Sequence, residues 1–179
     1  MTAVLTRRSE QLLTAPAPGD DEFRYLLKGA ALAPDHGRLR PWRWVLARDA
    51  ALASVADALA AEAPEDQREQ VRRKALRAPL RAFLVFTPRL GHKVPEWEQL
   101  AAGSSVTHAL MLLLHARGYG SIWRTGRLCS SMAVGELLGV AEGERLLGAV
   151  DIGTPARTAP PTRRPLPEIS AHLSVLTPR

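Results

Sequence analysis

Cysteine is almost absent from this chain: Cys129 stands alone among 179 residues. One thiol excludes an internal disulfide and any cysteine-built metal site, and it fits a reducing compartment. Long apolar runs are missing too. No stretch approaches the roughly 18–20 apolar residues that span a bilayer. Arg7, Arg8 and Glu10 interrupt the N-terminus before a signal-like apolar segment can develop. The chain is therefore expected in the cytoplasm, with no membrane partner. Neither G-x-G-x-x-G nor G-x-x-x-x-G-K-[ST] occurs, which argues against a dinucleotide-binding Rossmann turn and against a P-loop. His36, His92, His108, His115 and His172 show no H-x-x-x-H or H-E-x-x-H spacing, so no metal is expected. Neither Cys129 nor any serine sits in a nucleophile motif, and no catalytic side chain is assigned.

What remains is an ordinary globular composition, 46% hydrophobic and 23% charged, long enough for one sizeable core. The formal net charge of +6 raises affinity for phosphate in general. Its arginines are dispersed in ones and twos, as Arg7-Arg8, Arg72-Arg73 and Arg163-Arg164, without striping a helix. No nucleic-acid module accompanies them, so no nucleic-acid partner is expected.

Residues 33–44, Ala-Pro-Asp-His-Gly-Arg-Leu-Arg-Pro-Trp-Arg-Trp, are the most informative stretch. Pro34 and Pro41 bias Ala33 and Arg40 away from helix, so a fixed surface loop should lead into a strand near Trp44. Imidazole and guanidinium offer donors and indole a flat apolar face, which suits a planar, polar-edged, anionic ligand. A surface turn with a basic rim explains the same residues.

Periodicity predicts alternating helices and strands: a helix capped by Asp20 or Asp21 through about Leu32, a strand at Trp44–Ala47, and a helix from Asp49 through Ala61. A charged helix opens at Pro64, and Leu80–Thr87 reads as a strand. Residues 98–116 form the longest helix, apolar on nearly every side, ended by Gly118-Tyr119-Gly120. Ser121–Thr125 is extended, Val134–Leu138 a short helix, and Leu146–Ile152 a strand. Two units follow: residues 1–155 as one domain and 156–179 as a proline-rich C-terminal arm. Leu166, Ile169, Leu173, Val175 and Leu176 give that arm something to bury, and another subunit is the preferred place.

Three further constellations carry possible chemistry. Arg7-Arg8-Ser9, read as preceding a helix, offers two guanidiniums and a hydroxyl to a phosphate monoester. Trp123-Arg124-Thr125-Gly126 pairs a cation with backbone that a ligand can approach closely; a buried Trp with an arginine on the rim is the plainer alternative. His92-Lys93-Val94-Pro95-Glu96-Trp97-Glu98-Gln99 reads as a lip over a cavity or as a helix start with acidic residues near the positive dipole end. His108 and His115, a heptad apart, read as interior histidines.

In their order along the chain, Arg-Arg-Ser, Ala-Pro-Asp-His with Pro-Trp, His-Lys-Val-Pro-x-Trp-Glu-Gln, Gly-x-Gly-x-Ile-Trp-Arg-Thr-Gly and Gly-Thr-Pro resemble the flavin-dependent nitroreductase family. The match is closest to its short, YdjA-like branch of NAD(P)H nitroreductases and spans about residues 7–155. The resemblance implies an α+β fold, with a mixed central sheet flanked by helices, in a homodimer with FMN at the subunit interface. It implies that Arg7, Arg8 and Ser9 bind the FMN phosphate and ribityl chain. Trp123, Arg124 and Thr125 then lie along the isoalloxazine ring, and His36 reaches the same flavin from the other subunit. Two positions depart from the branch: Leu32 stands where an arginine is common, and Arg40 where a glutamine is common.

The implied activity is reduction of nitroaromatic, quinone or similar small electrophilic acceptors by ping-pong hydride transfer, with NAD(P)H as co-substrate. In it FMN carries the redox chemistry, and Arg124 is expected to stabilise negative charge on the reduced flavin. A nitroreductase-fold flavoprotein with a different physiological reaction, or a non-catalytic flavin-binding protein, is the alternative.

Overall fold

The computed structural model describes residues 2–156 and 162–177. Pro160, Pro161 and Pro178 of the tail lie outside the described residues.

The chain begins with a one-turn helix, α1 (Thr2–Thr6), and a two-residue strand, β1 (Leu13–Thr14). Helix α2 (Asp20–Ala30) follows Gly19, so Asp20 and Asp21 lie inside the first turn rather than at the cap. There, with Glu22, they face the positive end of the helix dipole. Strand β2 (Trp42–Ala47) leads into α3 (Asp49–Ala61) and α4 (Arg68–Ala75). Strand β3 (Leu80–Phe86) is buried at every residue, as a strand between two helical layers should be, and is apolar except for Arg81. Helix α5 (Glu96–Ala116) precedes β4 (Gly120–Arg124), the short helices α6 (Arg127–Ser130) and α7 (Met132–Leu137), and the long strand β5 (Arg145–Pro155).

The sheet order is β1-β5-β3-β2, with β4 pairing β5 beside β1. Every ladder among the described residues is antiparallel, which corrects the expected mixed sheet; the parallel contribution is an isolated bridge, Ser9 to Ser121. The alternation of helices and strands in sequence hides the reason. Two helices, α3 and α4, separate β2 from β3 and return the chain antiparallel. A single helix, α5, separates β3 from β4, which do run the same way, but β5 lies between them.

One face of the sheet (Leu80, Ala82, Val150, Ile152) is covered by Phe23, Leu26 and Ala30 of α2 and by Val106, Leu110, Met111 and Leu114 of α5. The other face (Phe83, Val85, Ala149) meets Leu52 and Val55 of α3, Leu128 of α6 and Val134 of α7. Trp42 and Trp44 pack against the first core, Trp44 edge-on to Phe23 at 6.3 Å between ring centroids. The two indoles of the loop segment are therefore anchors for the sheet rather than a ligand platform. Helix α5 is not enclosed on all sides: Trp97, Leu100, Ala101, Ser104 and His108 stay exposed along one stripe. His108 is thus a surface residue. His115 does have a fixed partner, its Nε2 lying 2.7 Å from the Thr6 hydroxyl of α1.

Candidate functional site

Asp35 fixes the loop that the prolines predicted. Its carboxylate accepts hydrogen bonds from the backbone N–H groups of Leu39 (3.2 Å) and Arg40 (2.7 Å), while Gly37, Arg38 and Arg40 all take positive φ. The His36 ring is exposed, with Nδ1 2.8 Å from Glu98 Oε2 at the start of α5, so the two loops are tied together. Arg43 does not face a ligand. Its guanidinium bonds Glu144 and the carbonyls of Leu138 and Gly139, and the hydrogen bond to Glu144 holds that carboxyl below its ordinary range.

Arg7, Arg8 and Ser9 follow a helix instead of preceding one. They run alongside the first residues of β4: Ser9 bridges Ser121, and the Glu10 N–H donates to the Ser121 carbonyl at 3.2 Å. Arg8 Nη2 donates to the Thr162 carbonyl (2.9 Å) and hydroxyl (3.1 Å), and the Arg164 N–H to the Leu5 carbonyl. Thr162 and Arg164 therefore lie against this segment, and Arg164 adds a cation that sequence reading missed. Burial, and then the Arg164 charge, lower the pKa of Arg7. Two cations crowded together and partly desolvated are a place where an anion is stabilised.

Polar atoms without partners run along the same strip. Arg7 Nη1, Arg8 Nε, Ser121 Oγ and Trp123 Nε1 are buried with no hydrogen-bond partner among the described residues. Buried polar groups are otherwise nearly always paired, and leaving one unpaired costs about 1–3 kcal/mol. At the far end of β4 the backbone comes close to β5. A Cβ on Gly148 would collide with the Arg124 carbonyl oxygen and stand 2.7 Å from Trp123 Nε1, at φ +128°. Only glycine fits there.

Beyond Gly148, Arg124 and Thr125 line a cavity of about 290 Å³ together with Leu59, Val71 and Leu128. Lys74, Arg77, Arg81 and Arg127 add positive charge and Glu62 a single carboxylate. Of these charged residues only Arg124 is legible as a site residue from the sequence; the others are scattered over the end of α3, α4 and the turn after it, β3 and α6. Trp123 packs its indole against the α2–α5 core and is not among the residues lining the cavity. The structure thus brings Arg7, Arg8 and Ser9 to one end of β4 and Arg124 and Thr125 to the other, about 10 Å apart at the usual strand rise. His36 is not among the residues lining the cavity.

A family model described as "Nitroreductase family" matches residues 4–154. The chain belongs to the nitroreductase family. Among curated proteins similar to this nitroreductase family member, "Putative NAD(P)H nitroreductase YdjA" of Escherichia coli K12 is 32% identical over 157 residues, 85% of this chain and 86% of the relative. "Putative NAD(P)H nitroreductase" of Haemophilus influenzae is 31% identical over 161 residues, 86% and 87% of the two chains. The nitroreductase fold is matched by solved structures as well. A nitroreductase-like family protein from Bacillus cereus has a TM-score of 0.85 at 22% identity, over 98% of this chain and 94% of that one. A point mutant of the FMN- and NADPH-dependent nitroreductase NfnB from a Sphigopyxis strain has a TM-score of 0.77 at 21% identity, over 97% of each chain.

Proposed function

We propose that this chain is an FMN-dependent oxidoreductase of the cytoplasm. It takes reducing equivalents from NAD(P)H and passes them to nitroaromatic, quinone or similar small electrophilic acceptors. The observation that carries this reading is the group of unpartnered buried donors on Arg7, Arg8, Ser121 and Trp123 beside β4, a strand whose last residue, Arg124, lines a cavity with Thr125 on the opposite face of the sheet. The relatives named as NAD(P)H nitroreductases and the FMN- and NADPH-dependent neighbour support it.

In this reading Arg7, Arg8 and Ser9 hold the FMN phosphate and ribityl chain, Arg164 adds a cation, and the strand Trp123-Arg124-Thr125 meets the ring. When bound, FMN would supply the two-electron chemistry between reductant and acceptor. For a nitro compound the balance is ArNO2 + NAD(P)H + H⁺ → ArNO + NAD(P)⁺ + H2O. The protein's own part is to fix the phosphate by paired guanidiniums and to keep cations beside the cavity.

A second copy of the chain completes the picture. The exposed stripe of α5 includes Trp97 and Leu100, and Leu166, Ile169, Leu173, Val175 and Leu176 of the tail are all exposed. Residues 1–155 then form the flavin domain and 156–179 the arm that covers a partner.

The test is the visible spectrum of the purified protein. A bound flavin released as FMN on denaturation, and bleached by NADH or NADPH, is the expected result. Arg7→Ala with Arg8→Ala should weaken FMN binding by at least about tenfold, since hydrogen bonds to charged groups contribute about 1.5–3 kcal/mol each. A colourless protein that takes up no FMN on titration overturns the reading, and a flavin that no nicotinamide reduces leaves a flavin carrier, not this enzyme.

A further inference from the structure

Two arginines stand where the backbone favours glycine. Arg38 and Arg40, in the loop between α2 and β2, take φ of +52° and +46°, in the left-handed region. Among the described non-glycine residues only Asp49 shares that region, and aspartate tolerates it better than arginine does. Gly37, beside them at φ +74°, is the residue type the local geometry favours. The chain thus keeps a long cationic side chain twice at a cost in backbone energy, and outliers of this kind concentrate where a ligand is held.

Nothing the two guanidiniums touch offsets that cost. Both residues are exposed, and neither guanidinium has a hydrogen-bond or ion-pair partner among the described residues. Other groups hold the loop. The Asp35 carboxylate takes the backbone N–H groups of Leu39 and Arg40, and a Cβ on Gly37 would touch Leu39 and Val94, both buried, so the loop packs against the segment that enters α5. That segment is fixed in turn by the buried Gln99, which accepts from the Arg89 N–H at 2.8 Å and donates to the carbonyls of Arg89 and Val94 at 3.2 and 2.9 Å. Its carboxylates are committed as well, Glu98 to His36 and Glu96 to Arg145. The backbone is fixed and the cations are free, which is how a preorganised anion subsite is built.

We propose that Arg38 and Arg40 form a subsite for the 2′-phosphate of NADPH and make the protein prefer NADPH to NADH. The inference rests on the FMN reading above and on His36, two residues from Arg38, lying at a flavin site. In that reading the FMN phosphate belongs to Arg7, Arg8 and Arg164, so the phosphate-bearing reactant left to place is the nicotinamide dinucleotide. Its pyrophosphate is common to NADH and NADPH, and each of those phosphates carries one charge. The 2′-phosphate is a monoester with a charge of about −1.5 to −2 at neutral pH, which matches two guanidiniums held on one rigid loop. Arg89 and Lys93, exposed and without side-chain partners among the described residues, add positive charge to the segment beneath and steer the dinucleotide in.

The experiment compares NADPH with NADH as reductants of the FMN-loaded protein, with one acceptor held in excess, at low and at raised ionic strength. The expected result is a kcat/KM at least about tenfold higher for NADPH, a factor that charge-assisted hydrogen bonds to one phosphate suffice to give. The preference should narrow as salt screens the exposed guanidiniums. Arg38→Gly with Arg40→Gly removes both cations and gives the backbone the residue its φ favours, so this variant should keep or raise the thermal midpoint while its NADPH to NADH ratio falls near unity. Arg38→Gln with Arg40→Gln, which keeps side-chain length without charge, should give the same ratio even if glycine loosens the loop, and the double lysine variant should retain part of the preference. Calorimetry reads the subsite without turnover: adenosine 2′,5′-bisphosphate should bind the parent at least about tenfold more tightly than 5′-AMP, and both should bind the glutamine variant alike. Equal kcat/KM for the two nucleotides in the parent, or a ratio that neither variant changes, overturns the proposal. So does a loss equal for NADPH and NADH, which would put the arginines at the shared pyrophosphate, and so does weakened FMN binding in the variants, which would put them at the flavin phosphate. Should the protein take no FMN, the flavin reading fails by itself, and calorimetry then decides the subsite: bisphosphate binding lost in the glutamine variant supports it, and no binding by the parent overturns it.

Discussion

Arg43 shows how a residue that looks like part of a ligand site can be a fastener. It leaves the sheet at β2 and reaches the loop between α7 and β5, where Glu144 and two backbone carbonyls take its donors. The Glu144 carboxyl is held below its ordinary value by the Arg43 hydrogen bond, against the opposing effect of its own burial. Its folded pKa is depressed, so its contribution to stability is present above the unfolded value of about 4.3 and disappears as pH falls through the folded value. Glu144→Gln should therefore cost about 1–3 kcal/mol at pH 7. The difference from the parent should shrink below about pH 4.3. Urea unfolding at a series of pH values reads this directly, and a difference that stays constant with pH would contradict the assignment. Cys129 belongs at the same scale: burial pushes its thiol up, which disfavours the reactive thiolate at neutral pH.

Among the elements, length decided what the sequence could reveal. Helices α2, α3 and α5 and strands β3 and β5 carry enough apolar positions to announce their period, and their predicted spans differ from the observed ones by a few residues. Helix α1 and strand β1, with five and two residues, cannot show a period. Arg7-Arg8-Ser9 therefore reads as preceding a helix when it follows one. The order of strands was not legible either, because the insertion of β5 between β3 and β4 is a long-range pairing that no local pattern encodes. For the site, ordered motifs pointed to both ends of β4. The cations on α4, β3 and α6 stayed hidden because nothing in their local sequence says which face they share. Gly148 marks the junction between element and site. Gly148→Ala would set a Cβ against the Arg124 carbonyl at a φ that favours glycine, so it should destabilise the protein by about 1–3 kcal/mol and displace the strand that ends in Arg124. Thermal unfolding measures the first effect and FMN titration the second; an unaltered FMN affinity would mean that this stretch of β4 does not meet the flavin.

For the whole molecule the open question is what faces the stripe of α5 and where His36 points. Within its own chain His36 leans on Glu98 through Nδ1, which leaves Nε2 directed away from that contact on an exposed ring. A ring oriented at the edge of an uncovered helix face is well placed to reach into a second copy. If it does, each flavin site combines Arg7 and Arg8 of one chain with His36 of the other. A heterodimer of a His36→Ala chain with an Arg7→Ala, Arg8→Ala chain would then collect all lesions in one site and leave the other whole. Both parent variants as homodimers should bind FMN poorly, and the heterodimer should recover half of the normal FMN content. If His36 served the flavin of its own chain, every site in the heterodimer would carry a lesion and nothing would be recovered. FMN content per dimer, measured after tandem-tag purification of the mixed species, separates the two arrangements. His36→Ala homodimers that bind FMN as the parent does would remove His36 from the site and leave it as the residue that ties its own loop to α5.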